Sequence, residues 1–389
     1  MKILQISSAS SSHSVENYEE DIYRAWNSKV GYQIKKFYPS LDVESWTIER
    51  KYKEEEEKIH DGLKFRIFPT IFSKRHGMEV SLKILRALKE EQRKAIKENE
   101  KLIIHLHEHH TWQSYLILLF AKKKDNIKII SSHHGGRNPL ENLKKYKKLA
   151  GFLPGILLMQ LFERLFFRKV NIFYSETKDE TNYLKNVASK SKIIFQSMGI
   201  EEEYFENEKK DSARKKLGLK KDKKYLLFLG RVKTTKGMRE LLDAMKNIKE
   251  KNIELLIVGG GADYEFYKNY TEENKIENVK FLGPIYGDKK LSYLSACDCL
   301  ILPSYTESCP VSLMEAIARN LPVIATEVGG IPLMIENGRE GIVIKPRSDN
   351  DIVKAIGEIL KWKKKDIRQY ANKYKWKNII ENTIKDYKE

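Results

Sequence analysis

Cysteine is scarce in this sequence. Its 389 residues contain three, Cys297, Cys299 and Cys309, all within one short stretch. They come with no metal-type partner spacing, so a disulfide framework is excluded and a reducing, cytoplasmic setting is expected. Long apolar runs are also missing. The opening Met1-Lys2-Ile3-Leu4-Gln5-Ile6 turns polar at once and lacks the apolar core of a secretory signal. The most apolar long window, 149–167, is broken by Pro154, Gln160, Glu163 and Arg164 and falls short of a membrane span. No RRM, KH, helix-turn-helix or zinc-finger pattern occurs, so a specific nucleic-acid binder is disfavoured.

What is present is a large apolar fraction, 41%, in a chain long enough for two domains. Lysine and arginine number 72 against 54 acidic residues, a net charge of +18. Such a balance suits anionic partners, namely phosphorylated substrates, an anionic membrane surface or nucleic acid. It is equally what a lysine-rich solvated surface would give.

Apolar runs alternate with helical patterns along the whole chain. Strands are expected at 2–7, 32–38, 64–68, 102–106, 127–131, 171–174 and 192–195, with helices at 79–99, 111–123, 155–168 and 177–186. The charged stretch 49–61 reads as an exposed helix or loop. After an acidic connection near 199–211 a second alternation begins. Its strands are 225–229, 254–258, 279–282, 299–302, 323–325 and 341–344. The pattern predicts an α/β protein with two doubly wound lobes, 1–203 and 204–365, and a helical tail, 366–389. Ligands of such sheets bind beyond the carboxyl ends of the strands, so the default site is a deep cleft between the lobes.

One stretch combines several chemical signals. The strand Cys299-Leu300-Ile301-Leu302 ends at Pro303, and a loop carrying Glu307 follows. A helix is expected from Pro310, with Ser308 as its cap, and Glu315 lies on that helix. Unpaired N–H groups at the helix start, near Val311 and Ser312, suit phosphate. A loop at the end of another strand reads Gly230-Arg231-Val232-Lys233-Thr234-Thr235-Lys236-Gly237. Arg231 and Lys236 offer donors for phosphate oxygens, although this is not a Walker A loop. The run Gly259-Gly260-Gly261 lacks the third glycine of a dinucleotide fingerprint, because Tyr264 stands there. In the first half, His134 follows a strand and precedes Gly135-Gly136. His105, His107, His109 and His110 cluster in sequence, but their spacing fits no zinc pattern, and no metal site is expected.

Glu307 and Glu315, with the run Glu307-Ser308-Cys309-Pro310 through Glu315-Ala316-Ile317-Ala318, resemble the E-x7-E signature of GT4-type retaining glycosyltransferases, the glycosyl transferases group 1. The resemblance extends to Gly230-Arg231 with Lys236-Gly237, to Phe281-Leu282-Gly283, and to Pro322 through Pro332. It implies a GT-B fold and transfer of a sugar from a nucleotide-diphosphate donor, a UDP- or GDP-sugar, to a glycan, glycolipid or small hydroxyl acceptor, with no cofactor and no metal. It also implies a C-terminal helix that crosses back to the first lobe.

On this resemblance Arg231 and Lys236 neutralise the departing diphosphate. Val311 and Ser312 add backbone contacts, and Pro310 removes one. Glu315 holds the ribose and Glu307 the donor sugar. His134 serves the reacting sugar, and Gly230, Gly283 and Ile285 line the donor site. Retention is expected by front-face attack rather than through a carboxylate nucleophile. A nucleotide-sugar epimerase or a sugar phosphorylase on the same fold is the alternative. Lysines 144–148 before the apolar 149–167 stretch, which ends at Arg168-Lys169, suggest contact of 144–169 with an anionic membrane surface and a lipid-linked acceptor.

Overall fold

The computed structural model describes residues 1–9, 18–71, 79–134, 153–363 and 366–389. The chain divides into two compact units. The first contains Met1–Gln196 and Ile380–Glu389, the second Ser197–Ile379. The boundary thus falls before the expected 203. The tail is shared: Asp366–Ile379 stays with the second unit and the last ten residues with the first.

The first unit is built on eight strands: β1 (Lys2–Ser7), β2 (Asp42–Glu49), β3 (Glu56–His60), β4 (Leu63–Pro69), β5 (Leu102–His107), β6 (Ile127–Ser132), β7 (Ile172–Ser175) and β8 (Lys192–Phe195). Their order is β3-β4-β2-β1-β5-β6-β7-β8, and every pair except β3–β4 is parallel. Helices α1 (Tyr18–Arg24), α2 (Trp26–Phe37), α3 (Leu82–Glu98), α4 (Trp112–Phe120), α5 (Leu153–Phe167) and α6 (Lys178–Val187) flank it. Central strands such as β5 are buried along their whole length, as a sheet covered on both faces requires. Their side chains join Trp46, Phe68, Phe167 and Phe173 in one apolar core.

Two expectations for this unit are corrected. The segment 32–38 is not a strand but the second half of α2. Val30 and Ile34 stand four residues apart and both are buried, which is helical spacing. The strand lies later, at β2. The stretch 49–61 is neither helix nor simple loop, because it holds β3, the antiparallel edge strand of a hairpin. Asp61 and Gly62 turn that hairpin with φ of 44° and 74°, the geometry a tight two-residue turn needs. Its charge belongs to an exposed sheet edge, where Ile59 is 80% exposed.

The second unit has six parallel strands, β9 (Lys224–Leu229), β10 (Ile253–Val258), β11 (Val279–Gly283), β12 (Cys299–Leu302), β13 (Val323–Thr326) and β14 (Gly341–Ile344), in the order β11-β10-β9-β12-β13-β14. The chain starts at the centre, winds outward through β10 and β11, and returns to β12. That reversal beside β9 is the switch point of a doubly wound sheet. Helices α7 (Lys210–Leu217), α8 (Met238–Asn247), α9 (Tyr264–Glu273), α10 (Gly287–Ala296), α11 (Val311–Ala318), α12 (Ile331–Met334) and α13 (Asp349–Ile359) complete it. A last helix, α14 (Trp376–Lys388), begins in this unit and ends in the first.

Candidate functional site

The motif residues of the second unit collect beyond the carboxyl ends of its strands. β9 delivers Gly230 and Arg231, then a single turn, Thr234–Lys236. Gly237 ends that turn with φ 68°. A Cβ there would lie 2.0 Å from the Pro303 carbonyl oxygen, so the loops after β9 and β12 meet only because this residue is glycine. Their backbones join where Tyr305 donates its N–H to Thr235, at 2.9 Å.

The side chains then meet. Lys236 Nζ lies 2.6 Å from Glu307 Oε1, and Ser304 Oγ donates to the same oxygen at 2.7 Å. The Glu307 side chain is 8% exposed and that of Lys236 21%. Gly329, after β13, closes the far side, since a Cβ on it would stand 1.7 Å from the Glu307 carbonyl oxygen. Arg231 is exposed and has no hydrogen bond or ion pair among the described residues. A guanidinium in that state is available to an anion.

Helix α11 begins one residue later than expected. Pro310, with φ −68° and ψ 115°, is itself the cap, and Ser308 is not. A residue before proline avoids helical angles, so Cys309 cannot enter the helix. Pro310 gives its carbonyl to Leu313 N at 3.2 Å. Val311 and Ser312 occupy the first two helical positions, whose N–H groups have no partner within a helix. Glu315, on the same helix, does not join Glu307. Its Oε1 receives Lys290 Nζ at 2.8 Å, and Lys290 also lies over the Tyr204 ring. Burial and the neighbouring Glu315 carboxylate push the Tyr204 hydroxyl up. Gly283 ends β11 with φ 72°, and Ile285 follows in the next loop. A separate cavity of 690 Å3, lined by Lys224, Asp298, Arg319 and Pro322 among others, lies at the opposite ends of the strands and holds none of these residues.

Sequence reasoning missed Lys290, Ser304 and Tyr204. Lys290 and Tyr204 sit on different elements from Glu315, so no local spacing marks them, whereas Ser304 lies three residues before Glu307 in the same loop.

In the first unit His134 stands just past β6, its side chain 7% exposed. A chain of hydrogen bonds orients it. Gln5 donates to the Tyr387 hydroxyl at 2.9 Å, which turns its amide oxygen to His107 Nε2 at 2.7 Å. His107 Nδ1 is then an acceptor for His134 Nε2, 2.8 Å away. The other nitrogen of His134 faces Glu176 at 3.2 Å, and its backbone N–H donates to Glu108. Burial, with His105 and His134 nearby, pushes His107 well below the usual histidine range. The neighbouring His133 runs the other way. Burial would lower it, but Glu108 at 3.0 Å, with Glu180 and Glu176 behind, raises it to about 10.

His109, His133 and Glu180 also come together, although no metal-type cluster is expected from the sequence. Burial, helped by His110 and His133, drives His109 well down, and burial lifts Glu180 to about 7. Gly135-Gly136 and lysines 144–148 lie outside the described residues.

A family profile, Glycosyl transferases group 1, matches residues 209–376. The match falls within the second unit. An uncharacterized glycosyltransferase of Methanocaldococcus jannaschii is 30% identical over 193 residues, 46% of this chain and 49% of that protein. The chain spans about half the length of the curated relatives it matches. Among solved structures, a sucrose-phosphate synthase from Thermosynechococcus elongatus superposes with a TM-score of 0.69 at 19% identity, covering 100% of this chain and 98% of that one. HepE of Anabaena, solved in complex with UDP, superposes with a TM-score of 0.67 at 15% identity, each chain covered 100%. The two α/β units thus have the GT-B fold. No helix among its described residues is long and apolar enough to cross a membrane.

Proposed function

We propose that the protein is a retaining glycosyltransferase that moves a sugar from a nucleoside-diphosphate donor to a hydroxyl acceptor, with no metal at the diphosphate. The contact between Lys236 and Glu307 carries this reading. It sets a cation and an acid at the end of the central strands, beside the unpartnered Arg231 and the first N–H groups of α11. Arg231 and Lys236 hold the diphosphate and stabilise it as it departs. Val311 and Ser312 add backbone donors, and Pro310 limits them to that pair and the residues beyond. Glu307 accepts hydrogen bonds from the donor sugar and Glu315 from the ribose. Gly230, Gly283 and Ile285 line the nucleotide. His134 is the first unit's contribution to transfer.

The bond from the anomeric carbon to the phosphate oxygen breaks. The acceptor oxygen bonds to that carbon on the same face, and its proton passes to the departing phosphate. The UDP complex of HepE supports a uridine donor, and GDP is the second base to test.

A thermal-shift series with UDP, GDP, ADP and their sugars tests the binding step. One base should stabilise selectively, following mass action. No shift with any nucleotide overturns the reading. NMR of the product should give the donor's anomeric configuration, and added Mg2+ or Mn2+ should leave the initial rate unchanged. Conversion of donor without acceptor would instead identify an epimerase, and dependence on inorganic phosphate a phosphorylase.

A lipid-linked acceptor at the cytoplasmic face of a membrane is favoured by one observation. Trp112, Leu119 and Phe120 of α4 and Leu161 and Leu165 of α5 are each at least half exposed. Such exposed apolar side chains suit a lipid surface, and the lysine-rich sequence of 144–169 suits anionic lipid. Flotation with phosphatidylglycerol vesicles at low salt should carry the protein up. Flotation equal to that with neutral vesicles removes this part of the proposal.

A further inference from the structure

Three buried side chains of the first unit converge where no role has been assigned. His109 lies in the turn after β5, His133 follows β6, and Glu180 opens α6 after β7. Those three strands are adjacent and parallel. One ligand atom from each residue lies within 4.8 Å of the other two. His109 Nε2 and Glu180 Oε1 are 3.6 Å apart. Two ligands about 2.1 Å from a tetrahedral zinc ion stand at a similar separation, about 3.4 Å. Both ring nitrogens of His109 and Glu180 Oε1 are buried without a hydrogen-bond partner. Such atoms are rare in folded proteins, because burial strips their water and nothing replaces it.

We propose that His109, His133 and Glu180 bind a divalent transition metal ion of the zinc type. The donor set, two imidazoles and a carboxylate, is one that zinc favours, and it leaves a fourth position for water. The surroundings supply outer contacts. Glu180 Oε2 accepts the Glu176 N–H at 3.1 Å, which turns Oε1 toward His109. His133 Nδ1 faces Glu108 Oε2 at 3.0 Å, so a second carboxylate stands behind the cluster to orient that imidazole. Glu108 adopts φ 73°, unusual for a residue with a side chain, so the turn that presents it is held against its own preference. Phe167 and Phe173 stand edge-on to the His109 ring and exclude water from that side.

The ion would tie together the carboxyl ends of three neighbouring strands. It would fix the turn that carries His134, the residue next to His133. The site belongs to the first unit, is separate from the donor diphosphate, and does not depend on the donor assignment.

The untagged full chain, metal-stripped and then dialysed against dilute zinc, should retain about one zinc per chain by mass spectrometry. Cobalt should give the intense visible bands of a tetrahedral site. Zinc-edge X-ray absorption should show two imidazole nitrogens and carboxylate oxygen in the first shell. His109→Asn and Glu180→Gln should abolish stoichiometric retention. Glu108→Gln should weaken it about 10–100-fold, the range for an outer-shell partner. His60→Asn, in the exposed β3 hairpin, should leave it intact. If the stripped chain takes up neither zinc nor cobalt, or if His109→Asn binds zinc as the wild type does, the proposal fails. Should His109→Asn not fold, the absorption spectrum of the wild type decides, and a first shell without two imidazoles overturns the assignment.

Discussion

Lys236 Nζ sits 2.6 Å from Glu307 Oε1 and locks the loop after β9 to the loop after β12. Lys236→Met would leave a nearly buried carboxylate without its cation. The expected loss is about 1–3 kcal/mol, below the figure for a fully buried pair because the lysine is partly exposed. Glu307→Gln in the same background should recover much of it. A double-mutant cycle by urea denaturation measures the coupling. In turnover assays Lys236→Met should lower kcat/KM by about 100-fold or more, the scale of losing one fixed donor to a developing charge. Additive stability losses, or unchanged turnover, would refute the pairing or its role.

Gly329 and Gly62 offer a matched contrast. Both have positive φ, 74° at Gly62 and 57° at Gly329, but only Gly329 is crowded: its added Cβ would meet the Glu307 carbonyl, whereas at Gly62 nothing lies within 4 Å. Gly62→Ala should cost about 1 kcal/mol, the conformational penalty alone. Gly329→Ala should cost more than that and should also displace Glu307, raising KM for the donor. Thermal denaturation of the two variants side by side checks the order.

Glu44 supplies a pH dependence. Burial would raise its carboxyl, but the Trp46 indole N–H at 2.8 Å and Lys2 at 3.0 Å, with Lys64 nearby, hold it below the usual carboxylate range. A lowered folded value contributes stability above the unfolded value, about 4.3, and that contribution disappears as pH falls through the folded value. Wild type should therefore exceed Glu44→Gln by a constant margin from neutrality down to about pH 5. The margin should shrink in more acidic solution. Urea titrations across this range read it directly, and a margin that grows on acidification would contradict the sign.

The Tyr387 hydroxyl accepts from Gln5 and lies 2.6 Å from His105 Nδ1, both fully inside the first unit. Tyr387→Phe should cost about 1–3 kcal/mol, the penalty for stranding buried polar partners. Tyr174→Phe, whose hydroxyl donates to Asp386, is the companion measurement.

The βα alternation and the second unit's motifs were legible because they are local. Parallel strands are continuous apolar runs, and the residues after each strand carry the chemistry. What stayed hidden was assembled across the sheet. Lys290 reaches Glu315 from another helix. His109, His133 and Glu180 come from three separate strand ends, so the sequence cluster of histidines pointed to the wrong partners for His109. His105 and His107 alternate onto one face of β5 and enter hydrogen bonds instead. The segment 32–38 misled because Tyr32 and Ile34 flank a polar residue as in a strand, while the helical spacing shows only when Val30 is taken with Ile34.

The hydrogen bonds of Tyr387 also set an order of assembly. β1 leaves the ribosome before α14, so Gln5 within it lacks its Tyr387 partner until α14 has been synthesised. Of the two units, the one begun earlier is thus finished later. A nascent chain stalled before Tyr387 should hold a first unit that proteases cut readily and a second unit that resists them.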